Sequence, residues 1–165
     1  MYRLIAIALV LAFSSCKKNE GMSCGFAPPT AIAPASEVTY LSNWLTANNV
    51  DAIQHSSGAF YTIIHQGNGS APTVCSNITV KYIGRILGGN MFDFNQSVNG
   101  IKFVLGNLLK GWQYVMPLMN TGAKLHIYIP PSLGYADQVQ YDGYGNVLIP
   151  ADSYLDFEIE LLDVQ

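Results

Sequence analysis

Residues 77–87 read Asn-Ile-Thr-Val-Lys-Tyr-Ile-Gly-Arg-Ile-Leu and close on Gly88-Gly89-Asn90. β-Branched and aromatic residues crowd this run and a turn ends it, so it reads as a strand. The same signature recurs on both sides. Residues 59–65 run into the turn Gln66-Gly67-Asn68-Gly69-Ser70, and 101–105 is entered through Asn99-Gly100. Residues 123–129 and 154–164 complete a set of five strands. Residues 110–116 are too short and too aromatic to assign from propensity, and Pro117 stops any helix there. Little is left for helix. The expectation is an α+β domain over 58–165, an antiparallel sheet closed on one face by one short helix.

The 165-residue chain carries 8 Lys+Arg against 11 Asp+Glu, a net charge of −3, with half its residues apolar. Phosphate neutralisation needs clustered Lys and Arg, so nucleic acid is not an expected partner. No apolar run reaches the roughly 18 residues of a spanning helix, which argues against an integral membrane protein. This much apolar surface also excludes a wholly disordered chain.

Residues 4–13 are unbroken apolar sequence behind Met1-Tyr2-Arg3, and Ser14-Ser15-Cys16 follows. That charged, apolar, small-residue order is a secretory signal, too short to span stably. Its end, Phe13-Ser14-Ser15-Cys16, resembles the lipobox of bacterial lipoproteins, with Phe13 where Leu is usual. The resemblance implies removal of residues 1–15 and lipidation of Cys16, whose acyl chains would hold the protein on a membrane. Lys17 is not an inner-membrane retention Asp, which favours the outer membrane of a bacterial cell envelope.

Residues 16–35, with Pro28-Pro29 and Pro34, read as a flexible tether. Residues 36–57 form a helical extension. Ser36 is placed to N-cap, Glu37 sits in the first turn, and Val38, Leu41, Trp44 and Leu45 follow at helical spacing before Asn48-Asn49. This amphipathic stripe is expected against the flank of the main domain. Cys24 and Cys75 stay open between free thiols and a disulfide, because sequence cannot bring their Cα atoms within about 7 Å.

Reactive chemistry has no obvious actors. His55, His65 and His126 lack metal-ligand spacing, so no metal is expected. Asp142-Gly143-Tyr144-Gly145-Asn146 lacks the alternating acids and terminal Glu of a calcium loop and reads as a flexible turn. Asp152, Asp156, Glu158 and Glu160 read as a solvated strand face. Neither a Gly-x-Ser-x-Gly elbow nor a phosphate-cradling glycine loop occurs, and no cofactor is expected. What the chain does supply is large apolar residues near turns. Tyr82, Phe92, Phe103, Leu108, Leu109, Trp112, Tyr135 and Phe157 strain the capacity of so small an interior, and some are expected to line an apolar pocket.

The order of these residues is informative. Val80-Lys81-Tyr82-Ile83-Gly84, Phe92-Asp93, Phe103-Val104-Leu105-Gly106 and Leu109-Lys110-Gly111-Trp112 occur in series. Gly122-Ala123-Lys124-Leu125, Ile129-Pro130-Pro131, Gly134-Tyr135, Ile149-Pro150 and Leu155-x-Phe157-x-Ile159-x-Leu161-Leu162 follow. As a set they resemble the FKBP-type peptidyl-prolyl cis–trans isomerase domain. The resemblance implies a half-barrel of five or six antiparallel strands wrapped around one short helix, with Trp112 flooring an apolar pocket. It implies catalytic positions at Tyr82, Phe92, Asp93 and Tyr135. It implies substrate-binding positions at Phe103, Leu108, Leu109, Trp112, Ile149 and Phe157, with Ile149 on the rim. The Leu109 N–H and the Tyr135 hydroxyl would donate to substrate or inhibitor carbonyls.

Proline-containing polypeptides and macrolide inhibitors are the implied partners. Such a pocket would grip a Pro ring and favour a twisted amide, with no acid, base or nucleophile. The chain departs from the family pattern at Ile101, where an aromatic rim residue is usual, and in lacking the Arg that commonly pairs with Asp93. It departs again over 136–147, a longer loop with Ala136 where Gly is common. These rim changes hold open a second function, a catalytically weak FKBP-fold binding or chaperone module anchored to the envelope.

Overall fold

The computed structural model describes residues 24–165. The readings for residues 1–15 and Cys16 lie outside the described residues. Helix α1 (Ala35–Ala47) is followed by strands β1 (Ile53–Gln54), β2 (Phe60–His65), β3 (Asn77–Ile86), β4 (Met91–Asn95) and β5 (Ile101–Val104). Helix α2 (Lys110–Val115), β6 (Lys124–Ile129), β7 (Gln140–Tyr141), β8 (Val147–Ile149) and β9 (Leu155–Val164) complete the order. One sheet runs β1-β2-β6-β9-β3-β4, with β5 also paired to β3, and β7 and β8 form a separate hairpin.

The main sheet is antiparallel and has seven strands, against the five or six expected. β4 is five residues long, and β1 and β7 are two each, too short for alternation to reveal. They exist because a longer partner offers unpaired backbone groups. β1 also means that 36–57 is not helical throughout.

β3 and β9 form the spine, paired from Ile78↔Val164 to Ile86↔Leu155 with a bulge between Thr79 and Val80. Along β3, Ile78, Val80 and Tyr82 turn inward at period two, as a half-buried strand requires. The short helix α2 crosses the concave face and buries Trp112 and Val115 among Leu125, Ile127, Ile129 and Leu155. Gly111 permits that approach, because a Cβ there would lie 2.7 Å from the Ile129 side chain.

α1 starts one residue before Ser36, with Pro34 in the cap position and no side-chain cap bond, so Ser36 lies inside the first turn and does not cap. Its stripe meets the flank of the domain as expected: Leu41 and Leu45 are buried against Phe60 and Tyr128. Tyr40 rests on Tyr154, ring centroids 4.6 Å apart.

The described part of the expected tether is a packed strap. Cys24 and Cys75 are joined, Cα atoms 5.6 Å apart. The Phe26 ring lies against Gly106, and the Tyr114 hydroxyl donates to the carbonyls of Pro29 and Ala31 at 2.8 and 2.7 Å. The Ala33 N–H donates to the Ser57 carbonyl at 2.8 Å. The strap is largely exposed and only Ala33 is buried, so these bonds and the Phe26 contact are what fix it to the domain. No helix among the described residues is long and apolar enough to cross a membrane.

Candidate active site

A half-open cavity of about 290 Å³ lies between α2, the loop before it and the concave face of the sheet. Trp112 is its floor, only 4% exposed. The indole meets Tyr82 edge-on at 5.9 Å and Phe157 edge-on at 5.2 Å, and Phe92 meets Phe157 edge-on at 5.6 Å. Edge-to-face contact suits the ring quadrupoles and holds each face at a set angle. Phe103, Leu108 and Leu109 form the opposite wall, and Tyr135 stands where the turn Pro131–Leu133 hands the chain back toward the cavity. Gln113 pins the Leu108 wall by donating to the carbonyls of Gly106 and Leu108 at 3.1 and 2.8 Å.

Of the ten positions named from the resemblance for catalysis and substrate binding, nine line this cavity. Ile149 does not. It is 2% exposed and packed into the core, while Leu148 before it faces solvent. The backbone of β8 turns the two neighbours to opposite sides, so only one of them can reach a rim.

Ile101, read in the sequence as a rim position where an aromatic residue is usual, lies in the wall, carried there by its register with Val80. Gly84, behind the lining rings, had no assigned role in the sequence. Gly84 sits opposite Asp93 and Phe157, and a Cβ there would lie 2.8 Å from both the Phe92 and Phe157 rings. A bare backbone lets the two rings meet; the sequence signal was a glycine inside a long strand.

The polar groups converge on one side. The Tyr82 hydroxyl donates to Asp93 Oδ2 at 2.6 Å, so Tyr82 orients a carboxylate that has no Arg partner among the described residues. Burial, reinforced by that bond and by the charge of Asp93, raises the Tyr82 hydroxyl pKa far above its ordinary value. Burial also raises Tyr135, with Asp93 adding to it. Both hydroxyls therefore remain protonated donors throughout the neutral range. Ala136, beside Tyr135, holds φ 53°, a left-handed conformation that glycine would adopt more easily.

Around the site, the 142–146 segment read as a flexible turn is a hydrogen-bonded hairpin tip. Asp142 Oδ1 accepts from the N–H groups of Tyr144 and Asn146 at 2.8 and 2.9 Å. The acidic face of β9 is cross-paired: His126 with Asp156 at 3.1 Å, Lys124 with Glu160 at 3.5 Å, Arg85 with Glu158 at 3.7 Å.

Comparison with known proteins agrees with this geometry. The family model for FKBP-type peptidyl-prolyl cis-trans isomerase matches residues 69–162. Peptidyl-prolyl cis-trans isomerase Mip of Coxiella burnetii is 33% identical over 125 residues, 74% of this chain and 52% of that protein. The probable isomerase FkpA of Neisseria meningitidis is 33% identical over 109 residues, 66% of this chain and 38% of that protein. The chain thus spans about half the length or less of these curated relatives. Among solved structures, a peptidyl-prolyl cis-trans isomerase from Pseudomonas syringae superposes with TM-score 0.66 at 25% identity, covering 83% of this chain and 99% of that one. FkpA from Escherichia coli gives 0.64 at 28% identity, covering 79% and 58%. A family match across more than half of the sequence, an antiparallel sheet wrapped on one short helix, and an aromatic cavity over Trp112 lead to one conclusion: this chain belongs to the FKBP-type peptidyl-prolyl cis–trans isomerase family.

Proposed function

We propose that the protein is a peptidyl-prolyl cis–trans isomerase acting on proline-containing segments of proteins that fold outside the cytoplasm. Its Cys16 lipid would hold it on the cell envelope, at the outer membrane, and residues 17–23 with the strap after them would link anchor to domain. The observation that carries the catalytic reading is the half-open aromatic cavity floored by Trp112, with Asp93 and Tyr135 on one side.

Resonance sets the amide rotation barrier at roughly 18–20 kcal/mol, and an X-Pro bond isomerises unaided in tens to hundreds of seconds. Twisting the amide breaks the resonance, which leaves nitrogen pyramidal and the carbonyl less polar. A cavity walled by Tyr82, Phe92, Phe103 and Phe157 grips the Pro ring and withholds the water that stabilises the planar, more polar ground state. The Tyr135 hydroxyl and Leu109 N–H donate to flanking carbonyls and hold the chain while one side rotates. Asp93, fixed by Tyr82, supplies negative charge on the side where the amide changes its dipole. Only interactions stronger in the twisted form accelerate the step, and a thousandfold gain needs only about 4 kcal/mol. Macrolide inhibitors would occupy the same cavity.

The test is the cis–trans relaxation of a proline tetrapeptide, with Tyr135→Phe and Asp93→Val beside the parent. Both variants are expected to fold normally and lose about tenfold in kcat/KM, worth about 1.4 kcal/mol each. A folded parent that leaves the relaxation rate unchanged refutes the isomerase reading. One observation favours a second reading, a catalytically weak binding or chaperone module. Tyr141, Tyr144 and Val147 stand exposed on the β7–β8 hairpin, Tyr144 at 94%, and suit contact with unfolded chains.

A further inference from the structure

Glu37 lies in the first turn of α1, outside the segment the family pattern covers. Its Oε2 atom accepts two hydrogen bonds from Ser132, 95 residues away: from the backbone N–H at 3.0 Å and from the hydroxyl at 2.7 Å. Ser132 is the middle residue of the turn Pro131–Leu133, and Gly134 alone separates that turn from Tyr135. The N–H groups of Gly134 and Ala136 both donate to the Pro131 carbonyl, at 2.9 and 2.8 Å. Residues 131–136 therefore form a small closed unit, and a shift at Ser132 moves Tyr135 with it. The unit does not hold its shape cheaply, since Ala136 sits at φ 53°. Its far side is tied by the Asp152 N–H on the Ala136 carbonyl at 2.8 Å. Its near side is tied by Glu37.

Glu37 is itself well held. Leu41 and Leu45, one and two turns on, are fully buried or nearly so, and Tyr40 packs on Tyr154. The carboxylate thus projects from a fixed platform, and a bond between a charged acceptor and two donors is the strong kind. We infer that Glu37 is a positioning residue for Tyr135: through Ser132 it sets where the tyrosine hydroxyl stands in the cavity, which makes α1 a brace for the site. The kinetic part of this inference rests on the isomerase reading above.

The experiment uses the full chain with Glu37→Ala and Glu37→Gln, each alone and combined with Tyr135→Phe. Glu37→Ala is expected to lower kcat/KM on the proline tetrapeptide about fivefold and to weaken macrolide binding, measured by calorimetry, by a similar factor. Glu37→Gln keeps an acceptor oxygen and should restore most of both. In the Tyr135→Phe background Glu37→Ala should change either value less than about twofold, because the hydroxyl it positions is gone. Hydrogen exchange at the Ala136 amide should quicken in Glu37→Ala. A merely structural role would lower the melting temperature alike in both backgrounds and leave the kinetics of the folded protein alone. Losses equal in the two backgrounds, or unchanged affinity and unchanged Ala136 exchange in folded Glu37→Ala, overturn the inference. A parent that does not accelerate isomerisation sinks the functional reading instead, and macrolide affinity and Ala136 exchange then decide the role of Glu37 by the same criteria.

Discussion

Cutting the Cys24–Cys75 bridge is expected to cost this domain a large part of its stability while sparing the cavity. The bridge joins residues 51 apart in sequence. In the chain-entropy account, closing a loop of that length removes about 14 cal/mol/K from the unfolded chain, or about 4 kcal/mol at 25 °C. Unfolded chains keep some structure, so the measured loss should lie between about 2 and 4 kcal/mol. The loop contains α1, β1 and β2, so these elements gain most from the bridge. The assay is urea unfolding of the parent, oxidised and reduced, beside the double variant Cys24→Ser/Cys75→Ser. With a slope of about 2 kcal/mol/M, the midpoint should fall by about 1–2 M. Isomerisation per folded molecule should stay within about twofold, because no lining residue belongs to the strap and Tyr114 still binds the carbonyls of Pro29 and Ala31. Identical midpoints for oxidised and reduced parent would refute the reasoning and leave the bridge with no part in stability.

Gly84→Ala should drive the Phe92 and Phe157 rings apart, since the new Cβ would meet both at 2.8 Å. A stability loss of about 1–3 kcal/mol is expected, with macrolide affinity reduced at least about tenfold; calorimetry showing unchanged affinity would mean that the rings yield freely. The His126 imidazolium is stabilised chiefly by its bond to Asp156, which raises its pKa above the ordinary value of 6.5. A raised folded-state pKa stabilises fully below about 6.5, and the gain fades as pH climbs through the folded value. The stability difference between parent and His126→Gln should therefore be largest in mild acid and shrink above neutrality, measured by urea midpoints across pH 5–9, roughly the span in which histidine titrates. His55, lowered by burial, works in the opposite sense and cancels in that difference.

Much of the fold was legible in the chain, for local reasons. β3 and β9 are long, each follows or meets a turn, and each alternates apolar with polar residues so as to bury its inward row. The stripe of α1 announced a face needing cover, and Leu41 and Leu45 found it. Trp112, Tyr82, Phe157 and their companions were readable as a set because their order along the chain is that of the family. Where neighbours compete for direction the reading was weaker. Ile149 turned inward and Leu148 outward, a choice made by the β8 backbone, and Ser36 lost the cap position when the helix began a residue earlier.

Composition and pattern by themselves determined the antiparallel sheet, the amphipathic stripe of α1 and an aromatic surplus, while α2 beneath the cavity was legible only through the order of residues shared with the family. Tertiary closure decided which distant groups touch: Cys24 with Cys75, Tyr82 with Asp93, Glu37 with Ser132, Phe92 with Phe157 over Gly84. The reason is one of range. Side-chain alternation is written into every few residues, whereas a contact between residues far apart exists only once the sheet has bent around the helix and brought both ends of the loop to one place.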